Sequence, residues 1–108
     1  MEFQNLIDRA MEIRKLYEEM ENQRYGSPWT SEEIALGFVG DVGDLAKLII
    51  AESGKRDIPN SNEKLGHELA DCLWSLVVLS KIHGIDLEKT FIVTVDELEW
   101  HLLKNKLT

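Results

Sequence analysis

The chain has little of several things that would place it in other classes of protein. Its 108 residues include one cysteine and two prolines, and its 12 basic residues are outnumbered by 20 acidic ones. The lone Cys72 excludes an internal disulfide and, lying in an apolar run, favours a reducing compartment. The net charge of -8 argues against a surface that neutralises the phosphates of duplex nucleic acid.

The sequence also lacks the marks of export and of membrane insertion. Met1 to Asn5 has neither a basic start nor an apolar stretch, so we expect no secretory signal. The longest apolar runs, Leu45 to Ala51 and Leu69 to Leu79, contain polar residues and are too short to span a bilayer. We therefore expect a cytoplasmic protein that does not bind membranes.

Length predicts a single domain over residues 1–108. A lone domain of this size buries only about two-thirds of the surface that its unfolded chain exposes, so a partner chain would stabilise it considerably. The predicted fold class is all-α, a four-helix, bundle-forming domain completed by homo-oligomerisation.

Apolar spacing and capping residues predict four helices, over residues 3–24, 30–53, 60–83 and 87–105. Thr30 and Asn60 each precede a glutamate by three residues, which is the capping-box pattern, and Asp86 can cap the last helix. Residues 90–95 are rich in β-branched and aromatic side chains that would also suit a strand. We favour a helix there because the apolar spacing continues past Trp100.

The first helix pairs an apolar stripe with a polar face. We interpret this polar face as a solvated surface without a binding role. It consists of Glu12, Arg14, Glu18, Glu19 and Arg24.

The third helix carries acids where burial is expected. Between Leu65 and Leu79, polar residues or glycine occupy only five positions, so this helix has almost no face for solvent. Glu68, Asp71 and Ser75 follow i, i+3, i+7 spacing and form one narrow polar line. An uncompensated buried carboxylate costs several kcal/mol, so these acids require a cation or a hydrogen-bonding partner.

The second helix repeats this arrangement, because Asp41 lies on its apolar stripe and Asp44 stands one turn away. We expect these two acids, with Glu68 and Asp71, to face inward and to supply four oxygen ligands to a hard cation, Mg²⁺ or Mn²⁺. Any single pair of this kind is commonly a solvated helix surface, but two pairs in apolar sequence favour the metal. A di-iron carboxylate site would need Glu-x-x-His, which none of the histidines completes.

Three glycines lie near the acids of the second helix. Gly37, Gly40 and Gly43 each cost up to about 1 kcal/mol of helix propensity relative to alanine. They predict that another helix or a ligand approaches closely at this point.

Two segments carry a resemblance to a known family. Gly-Phe-Val-Gly-Asp-Val-Gly-Asp-Leu at 37–45 and His-Glu-Leu-Ala-Asp-Cys-Leu-Trp-Ser-Leu at 67–76 resemble the MazG-like nucleotide pyrophosphohydrolases, which are related to all-α dUTPases. Gly-Ile-Asp-Leu-Glu at 84–88 is similar to the segment before that family's last helix, so the resemblance covers roughly residues 29–98. The family signature Glu-x-x-Glu, a spacer and Glu-x-x-Asp matches Asp41, Asp44, Glu68 and Asp71, with aspartate in place of the first two glutamates.

The resemblance implies helical dimers or tetramers that bind Mg²⁺ and cleave nucleoside triphosphates to the monophosphate and pyrophosphate, as in house-cleaning of nucleotide pools. The four acids would then be both metal ligands and catalytic residues, because metal-assisted hydrolysis neutralises the growing charge on the phosphates. Relatives often carry Lys and Asn on the last helix, where this sequence has Thr94 and Leu98.

Three further residues are candidates for binding the substrate. Lys47 is the candidate nearest to the acids for a phosphate contact, the alternative being an ordinary surface lysine. Tyr25 and Trp29 are suited to stack on the base. Two other functions remain open on the sequence: a catalytically weakened relative that binds nucleotide or metal, and a purely structural dimerisation module.

Overall fold

The chain forms four helices joined by short connections. A computed structural model of the protein describes residues 2–106, apart from the side chain of Lys106, and contains no strand within that range. Its helices are α1 Phe3–Tyr25, α2 Ser31–Glu52, α3 Ser61–Ile82 and α4 Leu87–Lys106. The all-α prediction is confirmed, and residues 90–95 lie within α4, as expected.

Two of the predicted helix starts are capped as expected. The Thr30 side chain accepts a hydrogen bond from the backbone N–H of Glu33 at 3.2 Å, and the Glu33 carboxylate accepts one from the backbone N–H of Thr30 at 3.0 Å. At α4, the Asp86 carboxylate accepts from the backbone N–H of Lys89 at 3.1 Å. These bonds satisfy amide groups that the first turn of a helix leaves unpaired.

The capping box predicted at Asn60 is wrong. Asn60 has left-handed backbone angles, with φ at +56°, and its side chain makes no capping hydrogen bond. Side-chain capping requires an extended backbone, whereas asparagine is one of the few residues that tolerate the left-handed region. The Ser61 hydroxyl instead donates to the Glu52 carboxylate at 2.6 Å and so links the start of α3 to the end of α2.

The closest packing is between α2 and α3, and α1 contacts α3. The buried centre of the core is small, and partly buried residues, including Trp74 and Leu87, pack against it. The buried core cluster consists of Ala10, Ile34, Val77 and Val78. Because α2 packs along α3, side chains that face each other across this contact are held at fixed separations.

A single chain leaves much apolar surface uncovered. Its radius of gyration is 17.5 Å, whereas a compact chain of this length has about 13 Å. Of the α4 side chains that the structure describes, only Leu87 and Val95 are partly buried. On α3, Leu69, Leu73 and Leu76 are exposed as well. No helix within residues 2–106 is long and apolar enough to cross a membrane.

Candidate metal centre and adjoining cavity

Three carboxylates from two helices converge where α2 packs on α3. Asp41 and Asp44 stand one turn apart on α2, and Glu68 faces them from α3. Each offers an oxygen, and these three oxygens all lie within 4.8 Å of one another. Asp41 and Glu68 are half-buried. Asp44 is exposed, so the expectation that every acid faces the interior is wrong for this residue, which lies at the solvent side of the cluster.

The fourth predicted acid, Asp71, lies outside this group of three. The Asp71 carboxylate lies 3.1 Å from Nδ1 of His67, one turn earlier on α3. The sequence interpretation gave His67 no role. The four-residue spacing of His67 and Asp71, which lets side chains on one helix face meet, was the signal that could have identified the pair.

The electrostatics of the cluster show that the acids repel one another. Burial raises the pKa of Asp41, and the charges of Asp71 and Asp44 raise it further. Burial likewise raises the pKa of Glu68, the charges of Asp41, Asp71 and Asp44 add to the effect, and His67 opposes it. Asp71 therefore acts on the cluster through its charge although its oxygens lie outside the group of three.

One atom indicates that the site is chemically incomplete. Oε2 of Glu68 is buried and has no hydrogen-bond partner. A buried carboxylate oxygen without a partner is costly, and a cation placed among the three acids would satisfy it. The same cation would offset the repulsion that raises the pKa of Asp41 and Glu68.

The spacing and type of the donors fit a hard divalent cation. Oxygens on opposite sides of Mg²⁺ are about 4.2 Å apart, because each bond is about 2.1 Å long, and Ca²⁺ allows about 5 Å. Separations of up to 4.8 Å thus require only small side-chain movements to hold Mg²⁺. The nearby Cys72 is buried, and burial followed by the charges of Asp41 and Glu68 raises the pKa of its thiol, which favours the protonated form in the metal-free protein.

An open cavity of about 610 Å³ adjoins the acids. Asp41 and Asp71 form one edge, and the remaining walls are mostly aromatic and aliphatic. The lining residues are Ile13, Arg14, Tyr17, Met20, Glu21, Tyr25, Trp29, Ile34, Gly37, Asp41, Ala70, Asp71, Trp74 and Ser75. Cavities of this size, apolar with a few polar groups, are typical of small-molecule sites.

The structure places the predicted substrate-binding residues differently. Tyr25, at the end of α1, and Trp29, in the connection before α2, both line the cavity. Lys47 lies on α2, is exposed and does not line it. Trp74 also lines the cavity, packs edge-on against Tyr17 with ring centroids 5.5 Å apart, and donates to the carbonyl of Ala10 at 3.2 Å.

A buried ion pair forms part of the cavity wall. The Arg14 and Glu21 side chains are each only 7% exposed, and Nη1 of Arg14 lies 3.4 Å from Oε1 of Glu21. Arg14 also donates to the carbonyl of Trp29 at 2.6 Å, and the backbone N–H of Trp29 donates to Glu21 at 2.8 Å. The prediction that Arg14 belongs to a solvated face of α1 is wrong. The loop residue to which Arg14 donates, Trp29, lies fifteen positions later, where helical periodicity gives no information.

The glycines of α2 do not mark a close approach between helices of this chain. Among the described residues, no atom lies within 4 Å of the position that a Cβ would take at Gly40 or Gly43. At Gly37 the nearest atom belongs to the Trp29 ring, at 3.6 Å. Only Gly37 therefore faces another part of the site, and it does so at ordinary contact distance.

Comparisons of the chain with protein-family models, with curated proteins and with solved structures find no match.

Proposed function

We propose that the protein is a Mg²⁺-dependent nucleoside triphosphate pyrophosphohydrolase of the MazG-like kind. It would cleave a nucleoside or deoxynucleoside triphosphate to the monophosphate and pyrophosphate. The observation that carries this proposal is the convergence of Asp41, Asp44 and Glu68, including the partnerless oxygen of Glu68, at the edge of an aromatic-lined cavity.

The four acids have two different roles in this proposal. Asp41, Asp44 and Glu68 would hold the cation, which when bound neutralises charge on the phosphate oxygens. Asp71 lies outside this group but lines the cavity, so its carboxylate is available to a water molecule. It would orient that water toward the α-phosphorus and accept its proton while the bond to the leaving pyrophosphate breaks. His67, 3.1 Å from Asp71, would help to orient this carboxylate.

The aromatic cavity suits the base of the nucleotide. Tyr25 and Trp29 offer exposed ring surface at its wall, and stacking a base on an aromatic ring contributes about 1–3 kcal/mol. Arg14 is the only basic residue among the described residues that line the cavity, and it is already paired with Glu21. The triphosphate must therefore be neutralised chiefly by the cation. Lys47, exposed one turn beyond Asp44 on α2, is the proposed additional phosphate contact.

The exposed apolar surface supports the proposal that the protein is a homodimer or homotetramer. Phe91, Leu98, Trp100 and Leu102 of α4 are each more than half exposed, and the chain is more extended than a compact domain. Phe91, Leu98 and Leu102 recur at seven- and four-residue spacing on one face of α4, and a large exposed apolar patch typically marks an interaction site. We place the protein in the cytoplasm, with neither duplex nucleic acid nor a membrane as a partner.

The direct test is a panel of canonical and modified nucleoside triphosphates, incubated with the protein and Mg²⁺ or Mn²⁺. We expect at least one to yield monophosphate and pyrophosphate in equal amounts. Asp41→Asn should remove this activity, whereas Asp96→Asn, the same charge change on an exposed residue of α4, should not. The absence of turnover with every nucleotide and both metals would reject the enzymatic function.

A second candidate is a protein that binds metal and nucleotide without turnover. It is favoured by the two aspartates of α2, which are each one methylene shorter than the glutamates of the resembled signature, and by the exposure of Asp44. This candidate predicts a higher melting temperature with Mg²⁺ and nucleotide together, and no product in the panel.

A further inference from the structure

We propose that Arg14 and Glu21 are positioning residues that fix Trp29 as a rigid wall of the cavity and thereby set the affinity for the base of the substrate. This inference rests on the proposed function, because it assigns the base to the cavity beside the acids. It gives a role to a buried ion pair that metal binding and hydrolysis do not use.

The backbone of Trp29 is held at both of its polar groups. Its carbonyl accepts from Nη2 of Arg14 at 2.6 Å, and its N–H donates to Oε1 of Glu21 at 2.8 Å. Arg14 and Glu21 stand seven residues apart, two turns along α1, and each side chain is 7% exposed. Hydrogen bonds to charged groups are roughly twice as strong as those between neutral groups, so α1 fixes the connection to α2 firmly at this residue.

The ring of Trp29 lies beside α2 at Gly37. Gly37 presents no side chain, and a Cβ at its position would lie 3.6 Å from the Trp29 ring. The capping box of Thr30 then fixes the next residue of the chain. With its backbone anchored in this way, Trp29 is 41% exposed and lines the cavity.

The charge arrangement argues for positioning instead of simple stability. A buried ion pair loses hydration that its attraction barely recovers, so apolar residues often stabilise a protein as well or better. Here the pair forms two directional hydrogen bonds, one with the carbonyl and one with the N–H of Trp29. Nε of Arg14 also lies 3.4 Å from the carboxylate of Glu18 on the same helix, but the bonds that reach beyond α1 go to the Trp29 backbone, so the pair acts on the cavity through Trp29. Loss of the ion pair should weaken the binding of every nucleotide to a similar degree.

The experiment measures ring position and kinetics in the same variants. The protein is labelled with 5-fluorotryptophan, whose three resonances report its three tryptophans, and Trp29→Phe identifies the one from Trp29. The variants are Glu21→Ala, Arg14→Ala and the conservative Glu21→Gln, which keeps an oxygen acceptor for the Trp29 N–H. Arg9→Ala is the matched control, since Arg9 forms an exposed pair with Glu12 on the same helix.

We expect both alanine variants of the pair to shift the Trp29 resonance while leaving that of Trp100 in place. The KM should rise about tenfold for every nucleotide turned over, with kcat nearly unchanged, because that factor is typical of one lost stacking contact. Glu21→Gln should restore the resonance and most of the KM, and Arg9→Ala should change neither.

Two results would overturn the inference: an unchanged Trp29 resonance in Glu21→Ala, or a shifted resonance with an unchanged KM. Failure of the proposed function would be recognised separately, as absence of turnover by the unmodified protein. In that case the Trp29 resonance is followed during titration with the nucleotide and Mg²⁺. A response that Glu21→Ala abolishes supports the inference, and no response in the unmodified protein, or an equal one in the variant, overturns it.

Discussion

Replacing Asp41 by asparagine should stabilise the metal-free protein and abolish its stabilisation by metal. Asp41 belongs with Asp44 and Glu68 to the group of three carboxylates, and the charge of Asp71 also acts on it. Asparagine has nearly the same shape but carries no charge. The variant therefore removes repulsion from the apo cluster and, with it, one ligand of the cation.

The size of the effect follows from the separation of the acids. Two charges 4.8 Å apart repel by about 3 kcal/mol at an effective dielectric constant of about 20, and by about 1 kcal/mol in water. Because Asp44 is exposed and Asp41 only half-buried, solvent screening favours the lower value. A gain of about 1–2 kcal/mol raises the melting temperature of a domain of this size by roughly 5–10 °C.

The assay is thermal unfolding with and without Mg²⁺, which at a hundredfold excess over its Kd stabilises a one-site protein by about 2.7 kcal/mol. Mg²⁺ should raise the melting temperature of the unmodified protein. In EDTA, Asp41→Asn should have a higher melting temperature than the unmodified protein, and Mg²⁺ should not change it. Asp96→Asn is the control for a change of charge alone. A lower melting temperature for Asp41→Asn in EDTA, or its full response to Mg²⁺, would refute the reasoning.

Three further predictions concern the rest of the molecule. The folded-state pKa of Asp41 and of Glu68 is raised, so their contribution to metal-free stability is complete below the unfolded values of 3.8 and 4.5 and is lost as the pH rises through the higher folded values. Urea unfolding in EDTA should show this loss, and the stabilisation by Mg²⁺ should grow over the same pH range because the ligands must be deprotonated; a pH-independent metal effect would contradict the assignment. Thr30→Ala should lower the free energy of unfolding by about 1 kcal/mol through loss of the α2 cap, and an unchanged urea midpoint would contradict it. Leu98→Asp should shift sedimentation of the oligomer toward the monomer, whereas an exclusively monomeric unmodified protein would contradict the proposed assembly.

What the sequence predicted well depends on local rules. The four helices follow from apolar spacing, and the caps at Thr30 and Asp86 follow from side chains acting within four residues. The capping prediction failed at Asn60 because its left-handed backbone places the side chain outside capping geometry. Local sequence does not specify which way the connection between α2 and α3 turns.

The candidate site was only partly predictable, for a physical reason. Acids embedded in apolar sequence pointed to Asp41, Asp44 and Glu68, and the packing of α2 on α3 brings these three together. The four-residue spacing of His67 and Asp71 permits their pairing but does not select it over other partners. The burial of Arg14 against the loop of Trp29 depends on a contact that helical spacing does not specify.

The central claim is that Asp41, Asp44 and Glu68 share one divalent cation, and titration with Mn²⁺ tests it most directly. Electron paramagnetic resonance of the free ion would count the Mn²⁺ bound by the unmodified protein, by Glu68→Gln and by Asp96→Asn. We predict saturable binding that Glu68→Gln abolishes and Asp96→Asn leaves intact. Equal binding by all three proteins, or no binding by any of them, would contradict the claim.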